Sequence, residues 1–158
     1  MKTHWIGDVI SGDHDQSEVH LKGWIHRSRG SKRLRFVVLR DSTGTVQCVI
    51  KRDVVGDDAF EAVESALIES SVEISGTAIP TDREHGHEVQ VSDIRIIGPV
   101  DPSKPFPITE SAMAEADGGE TEFLLDNRHL YLRTGRMTTM LKIRSSIFGA
   151  IHSYFRER

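Results

Sequence analysis

The stretch GWIHRSRGSKRLRFVVLRDSTGTVQCVI, residues 23–50, decides the fold of this chain. Two runs within it, 34–41 and 45–51, are rich in apolar and β-branched residues, which is typical of strands. The tetrapeptide DSTG, residues 41–44, separates the two runs and indicates a tight hairpin connection. A preceding run, Glu18–Arg29, alternates apolar and polar residues with the period of a half-buried strand. Three consecutive strands are therefore predicted.

The sequence after this stretch predicts one helix and two further strands. Asp58 and Glu61 have the spacing of a capping box, and apolar residues then recur at helical spacing as far as Ile68. The runs 71–79 and 88–97 complete the pattern as strands. The order β-β-β-α-β-β is that of the OB-fold, a five-stranded barrel with one inserted helix, although other small barrels share it. The predicted class is mainly β.

Charge is distributed very unevenly along the chain. Residues 22–52 contain nine Lys and Arg against one acid, Asp41, whereas residues 53–125 contain seventeen acids and three bases. The formal net charge of −4 therefore conceals a strongly positive hairpin on an acidic body. Such a hairpin is expected to bind a polyanion.

Strand alternation predicts which side chains of the hairpin face outward. If Val37 and Leu39 point inward, Phe36 points outward, and the same alternation turns Gln47 outward on the next strand. With nearby Arg29, this face offers an aromatic plane for a base, an amide for a base edge and a cation for phosphate. These groups are what single-stranded nucleic acid requires.

Each of these residues also has a purely structural interpretation. A slip of one residue in strand register would put Phe36 in the core. Gln47 is equally consistent with a simple solvent-facing residue, Glu88 with a carboxylate at a strand edge, and the cations of residues 27–35 with a solvated loop.

Composition argues against several classes of protein. No apolar run approaches the roughly 18 residues of a membrane span, and the N-terminus lacks the apolar centre of a signal peptide. The single Cys48 has no internal disulfide partner, which fits a cytoplasmic location. His85 and His87 are interpreted as loop residues, and no metal site or catalytic set of side chains is predicted.

The amino-acid composition of the sequence changes after residue 100. Three prolines and an acidic, small-residue segment follow, which predict a barrel domain over 1–100, a linker over 101–122 and a further element over 123–158. Residues 137–155 form a helical pattern with a wide apolar face, a stripe of Met140, Ile143, Ile147, Ile151 and Tyr154. Such a face suggests that the chain is an N-terminal part of a longer protein or that the helix packs on a partner subunit. The alternative is that it folds back on the barrel.

Four segments closely resemble the N-terminal part of archaeal-type asparaginyl-tRNA synthetases, and more distantly aspartyl-tRNA synthetases. They are GWIHRSR, RFVVLRDSTGTVQCVI, VEISGTAI and LLDNRHLYLRT, the last followed by the amphipathic helix. RDSTGTVQ and the LD-x-R-x-L-x-x-R element are the most specific parts. RHLYLR and VVGDDAF favour the asparaginyl branch, because the aspartyl branch usually has an acidic residue where Tyr131 stands.

The resemblance implies that the barrel binds the anticodon loop of tRNA. Phe36 matches the aromatic residue that stacks on the central anticodon uridine, and Gln47 matches the amide that reads this base. Arg29 matches an arginine that contacts the anticodon, and Glu88 a carboxylate near its other bases. The anticodons for asparagine and aspartate share the central uridine, so this surface does not decide between the two amino acids.

The resemblance also implies a full-length asparagine–tRNA ligase that uses ATP and Mg²⁺. Residues 123–158 resemble the beginning of its α+β class II catalytic domain, with the helix forming a homodimer interface. Because the later class II motifs are absent, no catalytic residue and no cofactor are expected within these 158 residues. The alternatives are an aspartate–tRNA ligase, including one that charges both tRNAs, a free-standing nucleic-acid-binding OB-fold module, and a structural dimerisation fragment.

Overall fold

The computed structural model describes residues 4–82, 86–108 and 121–158. The strands are β1 Glu18–Gly30, β2 Leu34–Arg40, β3 Thr45–Lys51, β4 Ser71–Pro80 and β5 His87–Gly98. The helices are α1 Ile6–Ile10, α2 Arg52–Val55, α3 Asp57–Ser65, α4 Thr121–Asp126, α5 Arg128–Tyr131 and α6 Gly135–Arg156.

The five strands form a closed barrel in the order β1-β2-β3-β5-β4, with β4 returning to β1. All neighbouring pairs are antiparallel except β3 and β5, which pair in parallel over three residues. A bulge in β1 between Ile25 and Arg27 shifts its register against β2. The predicted five-stranded OB-fold barrel is confirmed.

Strand alternation fills the barrel interior as the sequence predicts. Val37 and Leu39 of β2 and Cys48 of β3 are completely buried, and Val46 and Ile50 join them in the core. The exception is Val49, which alternation places on the outer face but which is only 6% exposed. Its cross-strand partners are Phe36 on β2 and Gln90 on β5, so a side chain lies beside it on each of the two flanking strands.

The inserted helical segment is divided in two at Gly56. This residue has φ +84°, a left-handed conformation that glycine adopts without steric cost, and it ends α2 and precedes α3. The capping box predicted at Asp58 is wrong, because Asp58 lies inside α3 and no side chain caps the helix. Phe60 and Val63 are buried as their spacing predicts, whereas Leu67 and Ile68 follow the end of the helix.

A short helix before the barrel, α1, is not predicted by the sequence. Its first backbone N–H groups are satisfied by the turn between β2 and β3: Ile6 N donates to Asp41 Oδ2 at 3.1 Å, and Gly7 N donates to Thr43 Oγ1 at 2.8 Å. Ile6 and Val9 are completely buried in the core cluster. The helix is therefore stabilised by long-range contacts, which local sequence does not reveal.

The chain divides into two compact units, residues 1–106 and 107–158. Residues 109–120 of the predicted linker lie outside the described ranges. In the second unit, Thr134 caps α6 by accepting a hydrogen bond from Met137 N at 3.5 Å. The apolar stripe of α6 is exposed, from 46% at Ile151 to 57% at Ile143. No described helix has the length and apolar character needed to cross a membrane.

Candidate nucleic-acid interface

Two neighbouring rows of side chains cross the outer face of β1, β2, β3 and β5. The Cα register aligns Arg29, Phe36, Val49 and Gln90 in one row, and Arg27, Val38, Gln47 and Glu88 in the next. We call these eight residues the four-strand face. All four residues predicted as nucleic-acid-binding therefore lie on it, two in each row.

Arg29 and Phe36 form a pair at one side of the four-strand face. They are direct cross-strand neighbours, and the guanidinium carbon of Arg29 lies 5.6 Å from the centre of the Phe36 ring. Cation–π attraction at this distance orients the ring and the cation together. Phe36 is partly exposed and does not belong to the barrel core.

Gln47 and Glu88 form the second pair. They are partners in the parallel β3–β5 ladder, and Gln47 Nε2 donates to Glu88 Oε2 at 3.4 Å. The other Glu88 oxygen, Oε1, accepts from Gln90 Nε2 at 2.7 Å. The carboxylate thus lies between two amides, and the Gln47 amide keeps its carbonyl oxygen as an acceptor.

Most of the acids of the chain lie after the positive hairpin, and several of them neutralise it. Lys22 pairs with Glu73 at 3.0 Å, Arg35 with Glu64 at 2.9 Å and Arg40 with Glu69 at 2.9 Å. Arg52 pairs with Asp57 at 2.8 Å. A hydrogen bond from Arg95, together with a hydrogen bond from Lys22, lowers the pKa of Glu73 to about 2.

Four of the five cations that remain collect at one end of the hairpin. Among the residues that the structure describes, the charged ends of Arg29, Lys32, Arg33 and Lys51 make no ion pair. Three of them belong to the β1–β2 turn or its edge, and Lys51 is the cross-strand partner of Leu34 just beyond it. We call these four residues the cationic end. The raw count of nine cations therefore overstates the positive surface.

The β1–β2 turn is tightly closed. A Cβ atom on Gly30 would overlap the carbonyl oxygen of Leu34, so only glycine fits here. Ser31 N donates to the same oxygen at 2.8 Å. Beside the turn lies a cleft of about 720 Å³, lined by Arg33, Lys51 and residues of the α2–α3 corner.

His26 lies at the bulge of β1, next to the four-strand face. Burial lowers its pKa, and the nearby positive charges of Arg40 and Arg27 lower it further. The imidazole is thus held in its neutral form at pH 7 and does not add to the positive charge of the surface.

Other side chains with reactive potential do not form a site. Burial raises the pKa of Cys48 to about 12, and the thiol belongs to the core. Within residues 4–82, 86–108 and 121–158, no group of three or more His, Cys, Asp or Glu could hold a metal ion. The loop interpretation of His87 is wrong: it begins β5, and its Nε2 contacts Asp15 Oδ1 at 2.7 Å. His85 lies outside the described residues.

Two features of the face were missed by the sequence analysis. Gln90 follows Glu88 by two residues, so the same alternation that selected the other side chains would have found it. The neutralisation of Lys22, Arg35 and Arg40 has no such local signal, because their partners are 29 to 51 residues away in sequence.

Residues 19–97 match a family model that is named for the tRNA anticodon and described as an OB-fold nucleic acid binding domain. The chain belongs to this family. The matched range contains the barrel except for the first residue of β1 and the last residue of β5, and it includes every residue of the four-strand face.

The chain is also similar to several asparagine–tRNA ligases. The asparagine–tRNA ligase of Thermoplasma acidophilum is 41% identical over 154 residues, 96% of this chain and 33% of the relative. A crystal structure of asparaginyl-tRNA synthetase from Pyrococcus horikoshii complexed with asparaginyl-adenylate superposes with a TM-score of 0.80 at 32% identity, covering 92% of this chain and 32% of that one. The resemblance to asparaginyl-tRNA synthetases is thus confirmed, and the chain spans about a third of the length of the curated relatives it matches.

Aspartyl-tRNA synthetase from Entamoeba histolytica shares the fold. Its TM-score is 0.79 at 17% identity, over 99% of this chain and 38% of that one.

Proposed function

We propose that this chain is the tRNA-recognising part of an asparagine–tRNA ligase and that its barrel binds the anticodon loop of tRNA(Asn). The observation that carries the proposal is the alignment of Arg29, Phe36, Gln47 and Glu88 on two neighbouring rows of one outer face of the barrel. The relatives at 33–41% identity, which are asparagine–tRNA ligases, support it.

Each residue of the face has a role that its chemistry suits. Phe36 offers a ring on which the central anticodon uridine stacks, and Arg29 beside it contacts the anticodon. Gln47 both donates to and accepts from the edge of that base, which a uracil ring requires. Glu88 orients the Gln47 amide and accepts hydrogen bonds from neighbouring bases.

Replacing Gln47 with Ala is expected to lower affinity for an anticodon stem-loop about fivefold, because roughly 1 kcal/mol of hydrogen bonding to the base is lost. Discrimination between uridine and cytidine at the central position should fall by a similar factor. Fluorescence titration of the two stem-loops against both proteins measures the effect.

Gln47→Glu is the matched variant for this experiment, since it keeps the size of the side chain but removes the amide donor. It should lose discrimination as Gln47→Ala does. A uridine-to-cytidine ratio that stays at the wild-type value in both variants would show that Gln47 does not read the base.

The second unit is the beginning of the class II catalytic domain under this proposal. The full-length enzyme would activate asparagine with ATP and Mg²⁺ and transfer it to tRNA in the cytoplasm, with the ATP and amino-acid sites outside these 158 residues. Support comes from the relatives, whose length is about three times that of the matched region.

Helix α6 is proposed to form the homodimer interface of the full-length enzyme. Its apolar stripe is about half exposed at Met140, Ile147 and Tyr154, which is unusual for side chains of this kind on a soluble surface. The chain is therefore expected to self-associate through this face. Ile147→Glu should shift the sedimentation coefficient toward that of a 17.7 kDa monomer.

Ser146→Glu is the control for this prediction, because it adds the same charge on the neighbouring, polar side of α6. It should leave self-association intact. Sedimentation of the wild-type chain as a monomer at all concentrations would contradict the role of α6 in dimerisation.

An aspartate–tRNA ligase is the competing assignment. Such an enzyme shares the fold, and its tRNA has the same central uridine in the anticodon. Aminoacylation of both tRNAs by the full-length enzyme decides between a discriminating asparagine enzyme, an aspartate enzyme and one that charges both.

A further inference from the structure

Arg52, at the start of α2, joins the β1–β2 turn to α3. Its backbone N donates to Arg33 O at 3.0 Å, and its side-chain Nε donates to Lys32 O at 2.9 Å. Two consecutive carbonyl groups of the turn are thus held by one residue of another element. The other edge of the guanidinium group faces α3.

On the α3 side, Arg52 is surrounded by carboxylates and an aromatic ring. Nη1 lies 2.8 Å from Asp57 Oδ1 and 3.3 Å from Glu61 Oε1, and Nη2 lies 3.8 Å from Glu64 Oε2. Its Cζ lies 4.5 Å from the centre of the Phe60 ring, whose side chain is completely buried. The guanidinium group is therefore attached to a part of the molecule anchored in the core.

These contacts distinguish Arg52 from the cations around it. Its charge is matched by acids of α3, whereas Lys32, Arg33 and Lys51 make no ion pair among the residues that the structure describes. The cleft beside the turn is lined by Arg33, Lys51 and Arg52 and by Asp57, the ion-pair partner of Arg52. Arg52 thus lies next to the cationic end, but its own charge is matched by α3.

We propose that Arg52 is a positioning residue, which fixes the β1–β2 turn so that Lys32 and Arg33 are held in place to contact RNA phosphates together with Arg29 and Lys51. The inference rests on the proposed function, because the phosphates are those of the bound anticodon loop. Arg52 acts through the turn and makes no phosphate contact itself. A planar guanidinium group is needed, since only its fork can donate to Lys32 O from one edge while the other faces the α3 carboxylates.

The test compares Arg52→Ala and Arg52→Lys in two backgrounds, the wild-type chain and the double variant Lys32→Ala/Arg33→Ala. In the wild-type background, both changes at Arg52 should lower affinity for the anticodon stem-loop about tenfold. Lys should not rescue the loss although it keeps the charge. In the double variant, the same changes should have no further effect on affinity, because the side chains that Arg52 positions are gone.

Arg95→Ala is the matched control, since Arg95 is also an ion-paired arginine but lies on β5 with Glu73 as its partner. It should bind RNA like the wild type. An equal loss from Arg52→Ala in both backgrounds, or full rescue by Lys, would overturn the proposal and make Arg52 an ordinary phosphate contact. In that case the slope of log affinity against log salt should fall by about one in Arg52→Ala.

A measurement on the RNA-free chain separates this proposal from the proposed function. Amide hydrogen exchange at Ser31 should become about tenfold faster in Arg52→Lys, because the turn loses its anchor. Unchanged exchange would contradict the anchoring role even if the wild-type chain binds the stem-loop. Absence of stem-loop binding by the wild type would overturn the proposed function and the RNA role of Arg52 together, whatever the exchange result.

Discussion

Phe36→Ala is expected to weaken binding of an anticodon stem-loop by roughly 1–3 kcal/mol, about 5- to 150-fold, while the barrel stays folded. The physical reason is that Phe36 offers its ring outside the core, where it can stack on an unpaired base. Its removal also deprives Arg29 of the ring that lies 5.6 Å from its guanidinium carbon. Fluorescence titration at fixed salt concentration measures the loss, and urea unfolding verifies that stability is retained.

Two further substitutions test whether stacking is the cause. Phe36→Tyr keeps the aromatic plane and should retain most of the affinity, whereas Phe36→Leu keeps the apolar volume and should lose as much as Ala does. Equal affinities for all three variants and the wild type would remove Phe36 from the binding site and leave it as a packing residue of the sheet.

Asp41→Ala is expected to lower the free energy of unfolding by about 2–4 kcal/mol, the largest effect on stability predicted here. Asp41 is only 9% exposed, and its Oδ1 accepts from Thr43 N at 2.7 Å, Thr43 Oγ1 at 2.6 Å and Gly44 N at 3.3 Å. Its Oδ2 accepts from Ile6 N at 3.1 Å. Removal of the carboxylate leaves these donors without their acceptor and loosens α1 from the barrel.

Asp101→Ala is the control for this prediction. Asp101 makes the same kind of turn contacts with Ser103, at 2.8 Å to both N and Oγ, but it is exposed and joins no second element. Its loss should lower the free energy of unfolding much less than the loss of Asp41, because water can replace the exposed carboxylate as the acceptor. Urea midpoints for Asp41→Ala within error of those for Asp101→Ala would show that the link from the turn to α1 does not contribute to stability.

The sequence predicts well the features that follow from local patterns, such as the two-residue alternation of a strand. Alternation turns Val37 and Leu39 inward and Phe36 and Gln47 outward, because successive side chains of a strand point to opposite faces. The turn residues of DSTG, between two strand-like runs, are a second local signal and predict the hairpin turn that begins at Asp41. These features require no knowledge of distant residues.

What the sequence does not predict depends on contacts between distant residues. Gln47 and Glu88 are 41 residues apart and meet only because β3 and β5 pair in parallel. Helix α1 is too short to be stable by itself and needs Asp41, 35 residues further along, to bind its first N–H group. The helix break at Gly56 is also not predicted, because an amphipathic pattern does not reveal the left-handed conformation of this residue.

The concentration of unmatched positive charge at one end of the hairpin has a kinetic consequence. Long-range attraction draws a polyanion toward the cationic end, while the acids that follow the hairpin in the barrel repel it, so encounters begin in nearly the correct orientation. Association with RNA should therefore be fast at low ionic strength and slow steeply as salt screens the field. Duplexes that cannot fit the four-strand face are attracted in the same way but dissociate quickly. The association rate therefore depends on charge, whereas selectivity depends on the dissociation rate.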